Sequence, residues 1–178
     1  MKTIAGSVAA AQVIAGHIGA TSGRPVVLID GGSGSGKTTL ADRVAELSPD
    51  AQLVHGDDLY PGWTGLSAVW DLGELVIRNR YQRWDWYRDR FAEEVSLDAY
   101  RPLVIEGCGV LTATNAKHAS MAVWCSCPYD ARRDRALGRD EFFVDSWAMW
   151  AAQERLHQVR HHPEHLADVV VDLTLLNQ

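Results

Sequence analysis

Residues 29–40 read IDGGSGSGKTTL, a stretch rich in glycine and serine between the apolar run RPVVLID (residues 24–30) and the segment KTTLADRVAELSPD (residues 37–50). Such a stretch is either a flexible linker or a loop shaped around an anion. Its neighbours decide. RPVVLID is a β-branched run opened by proline and reads as a buried strand. The segment after the loop carries Leu40, Val44 and Leu47 at spacings of four and three and stops at Ser48 and Pro49, so it reads as a helix. Gly31, Gly36, Lys37 and Thr38 complete the pattern GxxxxGKT in the strand–loop–helix setting that the pattern requires. Glycine permits backbone turns and close approaches that a Cβ would block, and the following helix aims its partly positive end at the same place. Gly31, Gly32, Ser33, Gly34, Ser35, Gly36, Lys37, Thr38 and Thr39 are therefore the expected phosphate cradle. In it Lys37 bridges the β- and γ-phosphates and the Thr38 hydroxyl holds a magnesium ion.

The rest of the composition bounds the partners. A chain of 178 residues with 47% apolar and 22% charged residues fits one globular domain, taken here as residues 1–178. A net charge of −6 argues against a protein that coats nucleic acid, so a small-molecule partner is expected. Cys108, Cys125 and Cys127 are odd in number and lack CxxC spacing, which suggests neither a disulfide framework nor a zinc site and points to the reducing cytoplasm. No stretch has the length and purity of a membrane span. Ile4, Val8, Ala11, Ala15 and Ile18 recur at helical spacing, so residues 1–23 are expected to form an extra N-terminal helix.

Four further apolar runs read as strands: AQLVHGDD (51–58), RPLVIEGCG (101–109), MAVWCSCP (121–128) and ADVVVDLTL (167–175). Helical segments lie between them, including DWYRDRFAEEVSL (85–97), the basic YDARRDRALGRD (129–140) and the longer stretch over 140–162. Continuous apolar strands alternating with helices predict an α/β fold, with a mostly parallel five-stranded sheet covered by helices on both faces. Asp57 and Asp58 end one strand and Glu106 another, where parallel-sheet geometry places strand ends beside the phosphate loop. A carboxylate there can accept the proton of an acceptor hydroxyl or hold magnesium through water.

Taken with HGDDLYPGW (55–63), VIEG (104–107) and CPYDARRDRALGRD (127–140), this order of motifs resembles the uridine kinase and nicotinamide riboside kinase group of P-loop kinases. The resemblance runs from Val26 to Leu173. It implies a three-layer P-loop NTPase fold, ATP with Mg2+, an acceptor-binding region over about 58–99 and a small arginine-bearing lid over about 129–145. It puts the catalytic base on Asp57 and a magnesium-side acid on Glu106, so Thr38, Asp57 and Glu106 form the expected metal set. In RNRYQRWDWYRDRF (78–91) it matches Trp84 to a ring that stacks on a base and Asp85 to a carboxylate that binds ribose hydroxyls. Trp84 and Trp86 could equally pack a helix against the core, and Tyr60 and Trp63 are alternative stacking residues. Asp58 reads equally as a substrate contact or a turn cap.

Arg135 and Arg139 stand four apart on one helix face with Arg132 a turn earlier, so they could clamp the transferred phosphoryl group or pair with Asp134 and Asp140 in solvent. His157, His161, His162 and His165 cluster where histidines meet the negative end of a helix, and Trp147 and Trp150 read as core. The expected activity is phosphoryl transfer from ATP to the hydroxyl of a nucleoside-like small molecule, by a monomer or homodimer. One rival is a nucleoside monophosphate kinase, whose extra phosphate Arg78, Arg80 and Arg83 could bind. The other is a nucleotide-binding regulatory module without transfer.

Overall fold

The computed structural model describes residues 2–139 and 143–174, with the Arg139 side chain outside that description. Six parallel strands form the central sheet in the order β1-β8-β7-β2-β6-β3. They are β1 (Lys2–Ala5), β2 (Val26–Asp30), β3 (Gln52–His55), β6 (Leu103–Gly107), β7 (Met121–Ser126) and β8 (Val169–Asp172). Along β2 the side chains alternate between two cores: Val27 and Ile29 join the cluster under the first two helices, Val26 and Leu28 the cluster on the opposite face. Burial on both faces explains why the central strands are apolar without a break.

Helices α1 (Ser7–Ala20) and α2 (Lys37–Leu47) cover one face. The other is covered by α4 (Tyr129–Arg139), α5 (Phe143–His161) and the long β3–β6 connection, with α6 (Pro163–Leu166) leading into β8. The connection holds 3-10 turns at Gly56–Asp58 and Leu66–Trp70, helix α3 (Gly73–Arg78) and an antiparallel hairpin of β4 (Arg80–Asp85) and β5 (Arg90–Ser96).

Two local expectations change. The amino terminus is not helix alone: β1 pairs in parallel with β8, from Lys2 opposite Val169 to Ala5 opposite Asp172, and makes the sheet six-stranded instead of five. Consequently Ile4 is a buried strand residue, and the buried stripe of α1 runs through Ser7, Ala10, Ala11, Ile14 and Ile18 while Val8 is exposed. The second change is at residues 85–97, where helical character gives way to the hairpin. The Asp85 carboxylate accepts from the Tyr87 and Arg88 amides and closes a tight turn, and Asp89 takes a left-handed φ of 50°. Arg80–Glu94 and Arg83–Glu93 pairs then link the two strands.

Candidate functional site

A cleft of about 650 Å³ opens at the carboxyl ends of the central strands. Its floor is the glycine-rich loop expected to cradle phosphate: Ser33, Gly34, Gly36, Lys37, Thr38 and Thr39 all line it. The loop turns through Gly34 at φ 77° and Gly36 at φ 97°, and Gly36 caps α2 in the left-handed region that side chains other than glycine rarely enter. At Gly34 a Cβ would also stand 2.0 Å from the Arg132 carbonyl oxygen. The Ser35 amide donates to the Gly32 carbonyl at 3.0 Å and closes the bend.

Lys37 lies at the first turn of α2 and lines the cleft. Burial alone would push its ammonium down, but the charges of Glu106, Asp57 and Glu154 around it outweigh burial and hold it above its usual range. Opposite it, parallel pairing puts His55 of β3 level with Glu106 of β6. The Glu106 carboxylate is 4% exposed; its Oε1 accepts from the Thr38 hydroxyl at 3.2 Å and lies 2.8 Å from His55 Nδ1. That hydrogen bond to Glu106, against the pull of burial, raises the His55 pKa. Glu106 Oε2 is buried with no hydrogen-bond partner among the described residues. An orphaned carboxylate oxygen beside a hydroxyl, with Asp57 in the same cleft, is an all-oxygen donor set that suits a hard divalent cation such as Mg2+.

Asp57 lines the cleft from the turn that follows β3, and the Trp86 indole donates to its backbone carbonyl at 2.7 Å. Beyond it the wall is aromatic: Trp63, Trp86, Tyr87, Phe143 and Trp150. Trp63 is the hub, stacked on Phe143 at 5.2 Å, tilted to Trp86 at 4.9 Å and edge-on to Trp150 at 6.1 Å.

The fold thus gathers Ser33, Gly34, Gly36, Lys37, Thr38, Thr39, Asp57 and Glu106 into one cleft and leaves Gly31, Gly32, Ser35 and other expected residues outside its lining. Trp84 packs edge-on against Phe91 within the hairpin, and Asp85 is spent on the hairpin turn. Tyr60 is fully buried, its hydroxyl donating to the Cys108 carbonyl at 2.8 Å. Asp58 accepts from the Tyr81 hydroxyl at 3.5 Å. Arg132 lies behind the loop, donating to the Ser33 carbonyl and to Glu154. Arg135 donates to the Leu173 and Thr174 carbonyls and so ties α4 to the end of β8. Arg139 ends α4, and its side chain falls outside the described part of the chain, as does Asp140.

The sequence reading reached the aromatic wall only in part: it named Trp63 as an alternative stacking residue, left Trp86 open as a helix-packing residue, and read Trp150 as core, where it does lie while also lining the cleft. No local signal marks these residues, because they come together from a loop, a hairpin turn and α5. His157 is buried and paired with Asp30 at 2.9 Å, while His162, Glu164 and His165 bring candidate ligand atoms within 4.8 Å of one another at the surface.

No family model matches the chain, and no curated protein matches it in sequence. Solved structures do share its fold. A "possible uridine kinase" from Bacillus stearothermophilus is 22% identical, with 91% of this chain and 97% of that chain covered and a TM-score of 0.63. A candidate fructose transport system kinase from Silicibacter sp. TM1040 is 20% identical, with 92% and 98% covered and a TM-score of 0.62. The chain therefore shares the α/β fold of these two structures, a mostly parallel sheet with helices on both faces. Among the described residues, no helix is long and apolar enough to cross a membrane.

Proposed function

We propose that the protein transfers the γ-phosphoryl group of ATP to a hydroxyl of a small, flat, nucleoside-like acceptor. One observation carries this reading: a strand-end carboxylate, Asp57, shares a single cleft with Lys37, Thr38 and the glycine-rich turn before them on one side and an aromatic wall on the other. The similarity of fold to proteins described as kinases supports it.

In this reading residues 31–39 and Lys37 hold the polyphosphate, and Thr38, Glu106 and Asp57 hold Mg2+, which when bound neutralises charge on the phosphates. The acceptor ring lies against Trp63 and its neighbours, where a flat π-face gains contact area and excludes water. Asp57 accepts the hydroxyl proton as that oxygen bonds to the γ-phosphorus; the bond from this phosphorus to the β–γ bridging oxygen breaks, and ADP leaves. Arg132 serves the donor side by holding the Ser33 carbonyl, and Arg135 by anchoring the arginine helix to β8.

An acceptor that already carries a phosphate fits less well. Arg78 pairs with Glu74, Arg80 with Glu94 and Arg83 with Glu93, and none of the three lines the cleft, where Lys37 is the cation among the described lining residues. A module without transfer would have no use for Asp57 and Glu106 facing the loop. The test is to incubate the protein with Mg·ATP and a panel of nucleosides, nucleoside monophosphates and small sugars while following ADP. Release stimulated by a nucleoside is expected; no stimulation by any acceptor would overturn the proposal.

A further inference from the structure

Ser33 is gripped at three of its atoms by residues far away in sequence. Its amide donates to Glu154 Oε1 at 2.7 Å, its hydroxyl accepts from the Trp150 indole at 2.9 Å, and its carbonyl accepts from Arg132 at 2.9 Å. Arg132 closes the network on Glu154 Oε2 at 3.0 Å. Just before the loop, the Asp30 carboxylate accepts from the Gly31, Gly109 and Leu111 amides and lies 2.9 Å from His157 Nε2.

Trp150, Glu154 and His157 stand at i, i+4 and i+7 of α5, one face of one helix. That face therefore reaches the chain at residues 30 and 33, on either side of the first turn of the phosphate loop. All three side chains are buried, at 3%, 4% and 2% exposure. Glu154 carries most of the contact. A buried carboxylate is tolerated only where donors satisfy it, and here they are a loop amide, a guanidinium and, at 3.5 Å, the Cys108 thiol. Burial pushes that thiol up to about 12, so it stays protonated and can donate.

We infer that this face of α5 sets the conformation of the phosphate loop, with Glu154 as its principal positioning residue for nucleotide binding. The inference rests on reading residues 31–39 as the nucleotide phosphate site, and it adds the part of the molecule that shapes them. With the Ser33 amide turned onto Glu154 and its carbonyl onto Arg132, the peptide planes entering the bend are fixed from behind. Gly34, Gly36 and Lys37 are left lining the cleft. Phosphate oxygens are recognised by donors in a fixed array, so freeing one end of that array weakens binding even while the glycines and Lys37 remain. Trp150 also lines the cleft, so the same helix touches the loop and the acceptor wall.

The test is calorimetric titration with Mg·AMP-PNP, which needs no acceptor, at a temperature well below each variant's Tm. Glu154→Gln keeps an oxygen for the Ser33 amide but loses the charge that holds Arg132, and is expected to weaken binding about tenfold. Trp147→Phe, on the same helix but with its indole on Tyr129, is the control: a lower Tm with wild-type affinity shows that lost stability alone does not weaken binding. If Glu154→Gln proves unfolded by circular dichroism, Trp150→Phe decides, with at least about a threefold weakening expected from the lost Ser33 hydrogen bond. Affinity within twofold of wild type in the deciding variant overturns the inference. Wild-type protein that does not bind the probe overturns the nucleotide-site reading itself and this inference with it.

Discussion

Glu106 Oε1 is shared by two groups of opposite character, the Thr38 hydroxyl at 3.2 Å and His55 Nδ1 at 2.8 Å, and so joins the start of α2 to the end of β3. The pair gives a pH dependence of definite sign. The pKa of His55 is raised in the folded protein by its hydrogen bond to Glu106, so protonation favours folding. Its contribution is complete below the unfolded value of about 6.5 and disappears as pH rises through the higher folded value. The His55 side chain is 40% exposed, so solvent screens the pair and the increment is small. Melting curves of wild type and His55→Gln are expected to differ most near pH 6 and to draw together as pH rises.

The orphaned Glu106 Oε2 predicts a metal phenotype. Chelation with EDTA should bring turnover to background, and Glu106→Gln should raise the Mg2+ concentration needed for half-maximal activity about tenfold or more. A magnesium titration of both proteins at saturating ATP checks it. An unchanged requirement would remove Glu106 from the metal site.

Asp57→Asn should reduce turnover by about two to four orders of magnitude, the usual weight of general-base catalysis, while Mg·AMP-PNP affinity falls only severalfold because Thr38 and Glu106 still hold the ion. Single-turnover rates measured beside calorimetric affinities separate the two effects.

The aromatic wall predicts the opposite pattern for Trp63, which touches Phe143, Trp86 and Trp150. Trp63→Ala should raise the acceptor KM about tenfold or more while nucleotide affinity stays within twofold. Initial-rate kinetics with the best acceptor of the panel test this directly.

Gly34→Ala combines a φ of 77° with a Cβ only 2.0 Å from the Arg132 carbonyl oxygen, so the loop or α4 must shift. A loss of at least about 2 kcal/mol in unfolding free energy is expected, readable in urea denaturation. Gly138→Ala, whose added Cβ meets nothing within 4 Å among the described residues, is the comparison expected to lose no stability.

Legibility followed the range of each interaction. GxxxxGKT between a buried strand and a helix carries its chemistry locally, through glycine torsions, the helix end and one lysine, so the loop and the parallel α/β class were readable without coordinates. Asp57 and Glu106 were readable because parallel strands must end on the same side as that loop. The hairpin over residues 80–96 was not: its Arg and Glu residues suit an exposed helix as well as an exposed ribbon, and the Asp85 turn tips the balance.

The sequence by itself determined that a glycine-rich GKT loop joins a buried strand to a helix and which acids stand beside it, because those properties reside in short segments and in the rules of strand order. Only the tertiary structure decided that Lys2–Ala5 adds a sixth strand, that Trp84 and Tyr60 turn away from the cleft while Trp63, Trp86 and Trp150 form its wall, and that Glu154 reaches back across 121 positions to Ser33. Those outcomes depend on which buried groups find partners once the helices settle on the sheet. An indole or a carboxylate in the sequence does not carry that information until its neighbours are in place.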